Sequence, residues 1–171
     1  MGIIRRGARG QARRDRTRRV SPRSRTCALD WGEARVGVAV DDELGALAHP
    51  RGALPAKPEP ALFAELAKLA RESSVRRFVV GLPLDMKGGE GDAAKKARAF
   101  AQRLADATGL DVELWDERLT TTAARRALSE AGLRERTKKR SGRSIRAHVD
   151  EAAAVALLQS WLDAHAAREA P

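Results

Sequence analysis

The chain has 171 residues, 43% of them hydrophobic, which bounds it to one ordinary domain with a real core and excludes a largely disordered protein. No stretch approaches the roughly 18 consecutive apolar residues of a membrane span, the basic N-terminus lacks the apolar core of a signal peptide, and a single cysteine, Cys27, excludes an internal disulfide, so a cytoplasmic protein without membrane contact is expected. The formal charge of +10 is concentrated in residues 1–25 (ten arginines against Asp15) and 134–146 (seven basic side chains against Glu135), which leaves the remainder net −5 and suits a polyanionic partner, solvated tails being the plainer alternative.

Residues 1–25 show almost no apolar periodicity and are rich in Gly, Ser and Arg, so they are expected to be a disordered tail ahead of a single domain over 26–171. The stretch CALDWGEARVGVAVDD, Cys27 to Asp42, reads as two strands and a tight turn. Cys27 and Leu29 fall on one face of the first strand and Ala28 and Asp30 on the other, while Val36, Val38 and Val40 share a face of the second. Gly32 frees the turn, and Gly37 lets something approach the strand backbone closely. Asp30 is thus an ionisable group at the end of an apolar strand; on this stretch alone it reads equally well as a turn-initiating aspartate. A third strand is expected to begin with Gly45 and Ala46 and run to about Leu54, then a helix over Glu59 to Ser73 carrying Leu62, Leu66 and Leu69, then Arg76 to Leu82 as a strand buried on both faces.

In GLPLDMKGGEGDAAKK a glycine loop leads into a helix from Asp92, its expected N-cap, to Thr108, with Gly109 as the stop. Such a loop can hold phosphate, a reading to which Lys87, Lys95 and Lys96 add, but it lacks the Gly-Lys-Ser/Thr of a P-loop and reads as well as a plain connection. Asp111 to Trp115 is a fifth strand. The acidic pair Asp116-Glu117 with Arg118 stands at its C-terminal end, where ligands gather in open α/β sheets, and Thr120-Thr121 opens a helix to about Ala131. In the last helix, about Val149 to Ala166, Ala153, Ala154, Leu157, Leu158 and Trp161 share one face with Asp150, and Gln159, Ser160 and Asp163 lie opposite. Turning an ionised carboxylate toward apolar surface costs several kcal/mol unless a cation compensates, whereas a helix N-terminus recovers only about 0.3–1 kcal/mol. A bound metal or simple N-capping are the two readings of Asp150. Residues 134–146, with Lys138, Lys139, Arg140 and Arg143, are expected as a mobile loop across the substrate backbone, with affinity falling as salt rises. His49, His148 and His165 have no ligand spacing with Cys27, so zinc is not expected.

The order of elements, a three-stranded meander followed by helix-alternating strands, is the pattern of the ribonuclease H-like fold: an α/β domain whose five-stranded mixed sheet, three antiparallel strands plus two parallel ones, is flanked by helices. Four segments in order, ALDWGEARVGVAVDD, VVGLPLDMKGGEG, DERLTT and VDEAAAVALLQSWLD, resemble the YqgF/RuvX-type family of pre-16S rRNA nucleases and Holliday junction resolvases. The resemblance implies a metal-dependent nuclease using Mg²⁺ or Mn²⁺, with Asp30, Glu117 and Asp150 as catalytic residues and metal ligands. It implies RNA, pre-16S rRNA in a pre-ribosomal particle, as partner, with maturation of its 5′ end in ribosome biogenesis; branched DNA cleavage and a non-catalytic ribosome-assembly module are the alternatives. Hard carboxylate oxygens suit those cations. Arg35 and Arg118 are candidate phosphate partners, or salt-bridge partners of neighbouring acids, beside Lys87, Lys95 and the basic 134–146 segment. The sequence departs from the family at Trp31, where Tyr is usual, at Asp85, where Asn is common, and at Lys87, near which an acid is common. ATP-dependent kinases and actin-like ATPases share the opening Asp-x-Gly hairpin, but they need a second lobe for which this length leaves no room.

Overall fold

A computed structural model describes residues 3–4, 24–84, 89, 91–120 and 142–169. Asp85, Lys87, Lys138, Lys139 and Arg140, and the helix expected from Thr121 to about Ala131, lie outside the described residues, and Arg143 is described by its backbone alone. The elements run β1 (Ile3–Ile4), β2 (Arg25–Trp31), β3 (Arg35–Asp41), β4 (Ala48–Pro55), α1 (Glu59–Glu72), β5 (Val75–Leu82), α2 (Asp92–Thr108), β6 (Asp111–Asp116), a 3₁₀ turn (Glu117–Leu119) and α3 (Gly142–Glu169).

The sheet order is β1-β6-β5-β2-β3-β4. Strands β2, β3 and β4 form the expected antiparallel meander, and β5 and β6 extend it in parallel with β2. A sixth strand joins them: Ile3 and Ile4 pair antiparallel with Glu113 and Val112 of β6, so two residues of the segment expected to lie outside the fold belong to its sheet. The opposite edge, β4, is blunted by Pro50, Pro55 and a bulge opposite Val38 and Ala39, which deprive a further strand of a regular partner.

Alternation along the strands divides the core into two layers. Cys27, Leu29, Val36, Val38, Val40, Phe78, Val80, Val112 and Leu114 face α1 and α2, where Leu62, Leu66, Phe100 and Leu104 meet them. Ala28, Ala39, Val79 and Trp115 face α3 through Ala154, Leu157, Leu158 and Trp161. The small residues on this second face let α3 lie close, as burying a helix against a sheet requires.

Three boundaries differ from expectation. The N-cap of α2 is Gly91, with Asp92 in the first turn, while Gly109 ends the helix in the left-handed conformation at φ 68°. Strand β4 begins at Ala48 because Gly45, at φ 67°, belongs to a turn held by the Asp42 carboxylate, which accepts from Ala46 N at 2.8 Å. Helix α3 begins at Gly142, seven residues early, so residues 142–146, Arg143 among them, are helical and not part of a loop. Its buried arc is also wider than the sequence suggests. Gln159 accepts from Ala48 N and donates to the Ala46 carbonyl, both at 3.0 Å, and Ser160 Oγ accepts from Trp115 Nε1 at 3.2 Å, so neither lies on a solvent side.

Candidate active site

Asp30 occupies the α3 face of β2, a central strand, near its C-terminal end. Residues directly opposite across a sheet point to the same face. On one side Asp30 is paired with Gly37 of β3. On the other, the parallel register sets Leu29 beside Val80, so Gly81 of β5 follows beside Asp30. The carboxylate therefore stands between two strand positions that carry no side chain.

The Glu117 side chain and the backbone of Asp150 occupy the space these glycines leave. A Cβ at Gly81 would lie 2.7 Å from Glu117 Oε1 and 3.3 Å from its Cγ, so the Glu117 side chain lies over Gly81, one strand spacing of about 4.8 Å from the Asp30 column. A Cβ at Gly37 would lie 2.0 Å from the Asp150 carbonyl oxygen, so the backbone of α3 presses on the sheet at the residue paired with Asp30. The two glycines thus bring the turn after β6 and α3 together around Asp30. Among the described residues, no three His, Cys, Asp or Glu side chains are grouped as a ready metal site. What the fold fixes is the Glu117 side chain over Gly81 and the Asp150 backbone over Gly37, the two positions that flank Asp30. Their all-oxygen donor chemistry fits a hard divalent cation.

Asp116 explains how Glu117 comes to face the sheet. Its carboxylate accepts from Arg118 N at 3.0 Å, capping the turn, and holds the Arg118 guanidinium at 2.6 Å. Hydrogen bonding from Arg118 keeps the Asp116 carboxyl below the usual carboxylate range. The acidic pair is therefore divided: Asp116 holds the turn and Glu117 is presented. Arg118 takes the salt-bridge role of its two expected readings.

The other basic candidates are spread more widely. Arg35 follows the pleat onto the Asp30 face, two residues before Gly37, and is partly buried with no ion-pair partner among the described residues. Lys95 is exposed and pairs with Asp92 at 3.6 Å along the surface of α2. Lys96 instead reaches the Gly32 turn, where its ammonium meets Glu33 at 2.5 Å and the hydrogen bond lowers the Glu33 pKa.

The sequence marks Gly37 as a point of close approach, but three other residues escape it. Gly81 reads there only as a strand end. Glu151 accepts from Gly52 N at 2.9 Å, a bond across 99 positions of chain that nothing local announces. Asp41, at the end of β3, is buried and accepts from Thr26 N at 2.9 Å; its position closing an alternating apolar strand is the one signal that could have found it.

Residues 24–164 match the RuvX family, described as Holliday junction resolvase. A protein of Anaeromyxobacter sp. (strain Fw109-5), named "Putative pre-16S rRNA nuclease", is 45% identical over 81% of this chain and 96% of its own. One of the same name from Myxococcus xanthus is 45% identical over 82% of this chain and 89% of its own. Among solved structures, T. thermophilus RuvC in complex with Holliday junction substrate superposes with a TM-score of 0.51 at 14% identity, over 84% of this chain and 96% of that one. That likeness shows the ribonuclease H-like fold expected from the order of elements. By its sequence over residues 24–164, from the start of β2 into α3, the chain belongs to the RuvX family.

Proposed function

We propose that the protein is a metal-dependent nuclease that hydrolyses phosphodiester bonds of RNA and matures the 5′ end of pre-16S rRNA in the cytoplasm. The observation that carries this reading is the flanking of Asp30 by two glycines whose missing side chains make room for Glu117 and for the backbone of Asp150. The names of the 45%-identical relatives support the RNA substrate.

Asp30, Glu117 and Asp150 would hold Mg²⁺ or Mn²⁺. Bound there, such ions supply an activated water and neutralise charge developing on the phosphoryl oxygens. The chain's own contribution is orientation: Asp30 is fixed by the central strand, Glu117 by the turn that Asp116 caps, and Asp150 by the packing of α3 on Gly37. Arg35, on the same face of the sheet as Asp30, is assigned to a phosphate of the strand being cut. Lys87, Lys138, Lys139, Arg140 and Arg143 are assigned to backbone contacts on charge alone. Among the described residues no helix is long and apolar enough to cross a membrane.

The test is cleavage of a 5′-extended 16S rRNA precursor and of a four-way DNA junction in Mg²⁺ or Mn²⁺, with Asp30→Asn and Glu117→Gln beside the unmodified chain. Metal-dependent cutting of the RNA, lost in both variants while RNA binding persists, is the expected result. Junction cleavage with the RNA left whole favours the second reading, branched DNA, which the family description supports. RNA binding with no cleavage under any metal points to an assembly module and overturns the enzyme.

A further inference from the structure

The motif VDE at the start of the buried half of α3 offers two adjacent carboxylates, and the structure gives them different tasks. Neighbouring residues of a helix point about 100° apart. With the Asp150 backbone seated over Gly37, Glu151 is turned toward edge strand β4, where its Oε1 accepts from Gly52 N at 2.9 Å. Gly52 stands beside a bulge of this edge strand. Val38 pairs with Gly52 but Ala39 pairs with Pro50, leaving Arg51 as the extra residue, and Gly52 takes φ 94°, which disfavours any side chain. Beside the bulge, the backbone N–H of Gly52 is directed at α3, and Glu151 receives it.

We infer that Glu151 is a positioning residue for the divalent-cation site: through its hydrogen bond to the β4 bulge it sets the rotation of α3, and so the direction of the Asp150 carboxylate. The inference rests on the three-carboxylate site proposed above. Gly37 limits how close α3 comes, and the Glu151–Gly52 bond sets the rotation of its first turns on the sheet, as the apolar face and Gln159 do further along. Partners that orient a metal ligand typically change metal affinity about 10- to 100-fold when removed.

The experiment titrates Mn²⁺ into the apo protein by calorimetry, with free Mn²⁺ followed by electron paramagnetic resonance. The unmodified chain is compared with Glu151→Ala, Glu151→Leu, Glu151→Gln and Asp30→Asn, and folding is checked by circular dichroism. Glu151→Ala and Glu151→Leu are expected to bind Mn²⁺ about tenfold more weakly or worse, and Glu151→Gln, whose amide oxygen still accepts from Gly52, within about twofold of the unmodified chain. Unchanged affinity in either truncated variant overturns the assignment. So does Glu151→Gln binding as weakly as Glu151→Ala, since the charge rather than the acceptor would then matter. Unfolding of both truncated variants beside a folded Glu151→Gln also overturns it, making the bond a determinant of the fold. If the unmodified chain binds no Mn²⁺, or Asp30→Asn binds it equally well, the three-carboxylate site itself is what fails.

Discussion

The carbonyl oxygen of Asp150 lies 2.0 Å from where the first side-chain carbon of residue 37 would stand, and residue 37 is glycine. Gly81 stands in a similar relation to Glu117, with one difference: the first obstacle is backbone, the second the end of a flexible side chain. That difference separates the effects of two otherwise similar substitutions.

Gly37→Ala must push α3 off the sheet. Overpacking of this kind costs about 1–3 kcal/mol, so denaturant unfolding should show a clear loss of stability together with loss of metal-dependent cleavage. Gly91, with nothing within 4 Å of an added Cβ, is the control, and Gly91→Ser, which keeps a favoured residue at the N-cap of α2, should leave both nearly unchanged.

Gly81→Ala displaces only the Glu117 carboxylate. Its stability should change by less than about 1 kcal/mol, because the glutamate can swing away and alanine suits a strand better than glycine. Cleavage should nonetheless fall by on the order of a hundredfold, the scale of losing one preorganised group from a polar site. A stable and fully active Gly81→Ala protein would remove Glu117 from the site.

How much of this is legible in the sequence depends on the range of the interaction. Val36, Val38 and Val40 alternate, and Leu62, Leu66 and Leu69 recur at helical spacing, so the elements and the two-faced core follow from local pattern. Asp30 can be placed at the end of an apolar strand, and Gly37 marked as a place of close approach. What approaches Gly37 cannot be read, because the helix backbone there comes from 113 positions further along and its seat depends on tertiary packing. Gln159 and Ser160 mislead for a related reason. Helical periodicity sorts residues by polarity, and a polar side chain that reaches back to the sheet, as Gln159 does to Ala46 and Ala48, is indistinguishable from one facing water. Ile3 and Ile4 are too short a signal to mark as a strand, and it is pairing with β6 that makes them one.

The arginines of the N-terminal segment should act on affinity rather than on turnover. Replacing those between residues 5 and 23 with glutamine should weaken RNA binding at low salt, with kcat unchanged. The dependence of log K on log salt should flatten by about 0.7 for each single-strand phosphate that is no longer neutralised. Deleting residues 1–23 removes β1 as well and opens the edge of β6. That truncation, unlike the glutamine variant, should self-associate, which light scattering would detect.

Asp41 predicts a pH dependence of stability. The residue is 4% exposed, and burial raises its pKa to about 6, against the opposing effects of the Thr26 N–H bond and the Arg25 charge. A pKa raised on folding means that the folded state takes up a proton the unfolded state has already released. The favourable contribution is therefore complete below about pH 4 and is lost as pH rises through about 6. The whole span corresponds to about 3 kcal/mol at most. Asp41→Asn keeps an oxygen to accept from Thr26 N and has no charge to bury. Its stability relative to the unmodified protein should be higher by about 1–3 kcal/mol at pH 8, with the advantage shrinking toward pH 4. Taking the difference between the two proteins at each pH cancels the acids with lowered pKa, Glu33, Asp42 and Glu59, whose contributions run the opposite way. Urea unfolding of both at intervals from pH 4 to 8 measures it, and a difference that does not vary with pH would mean that Asp41 carries its charge in the folded protein without penalty.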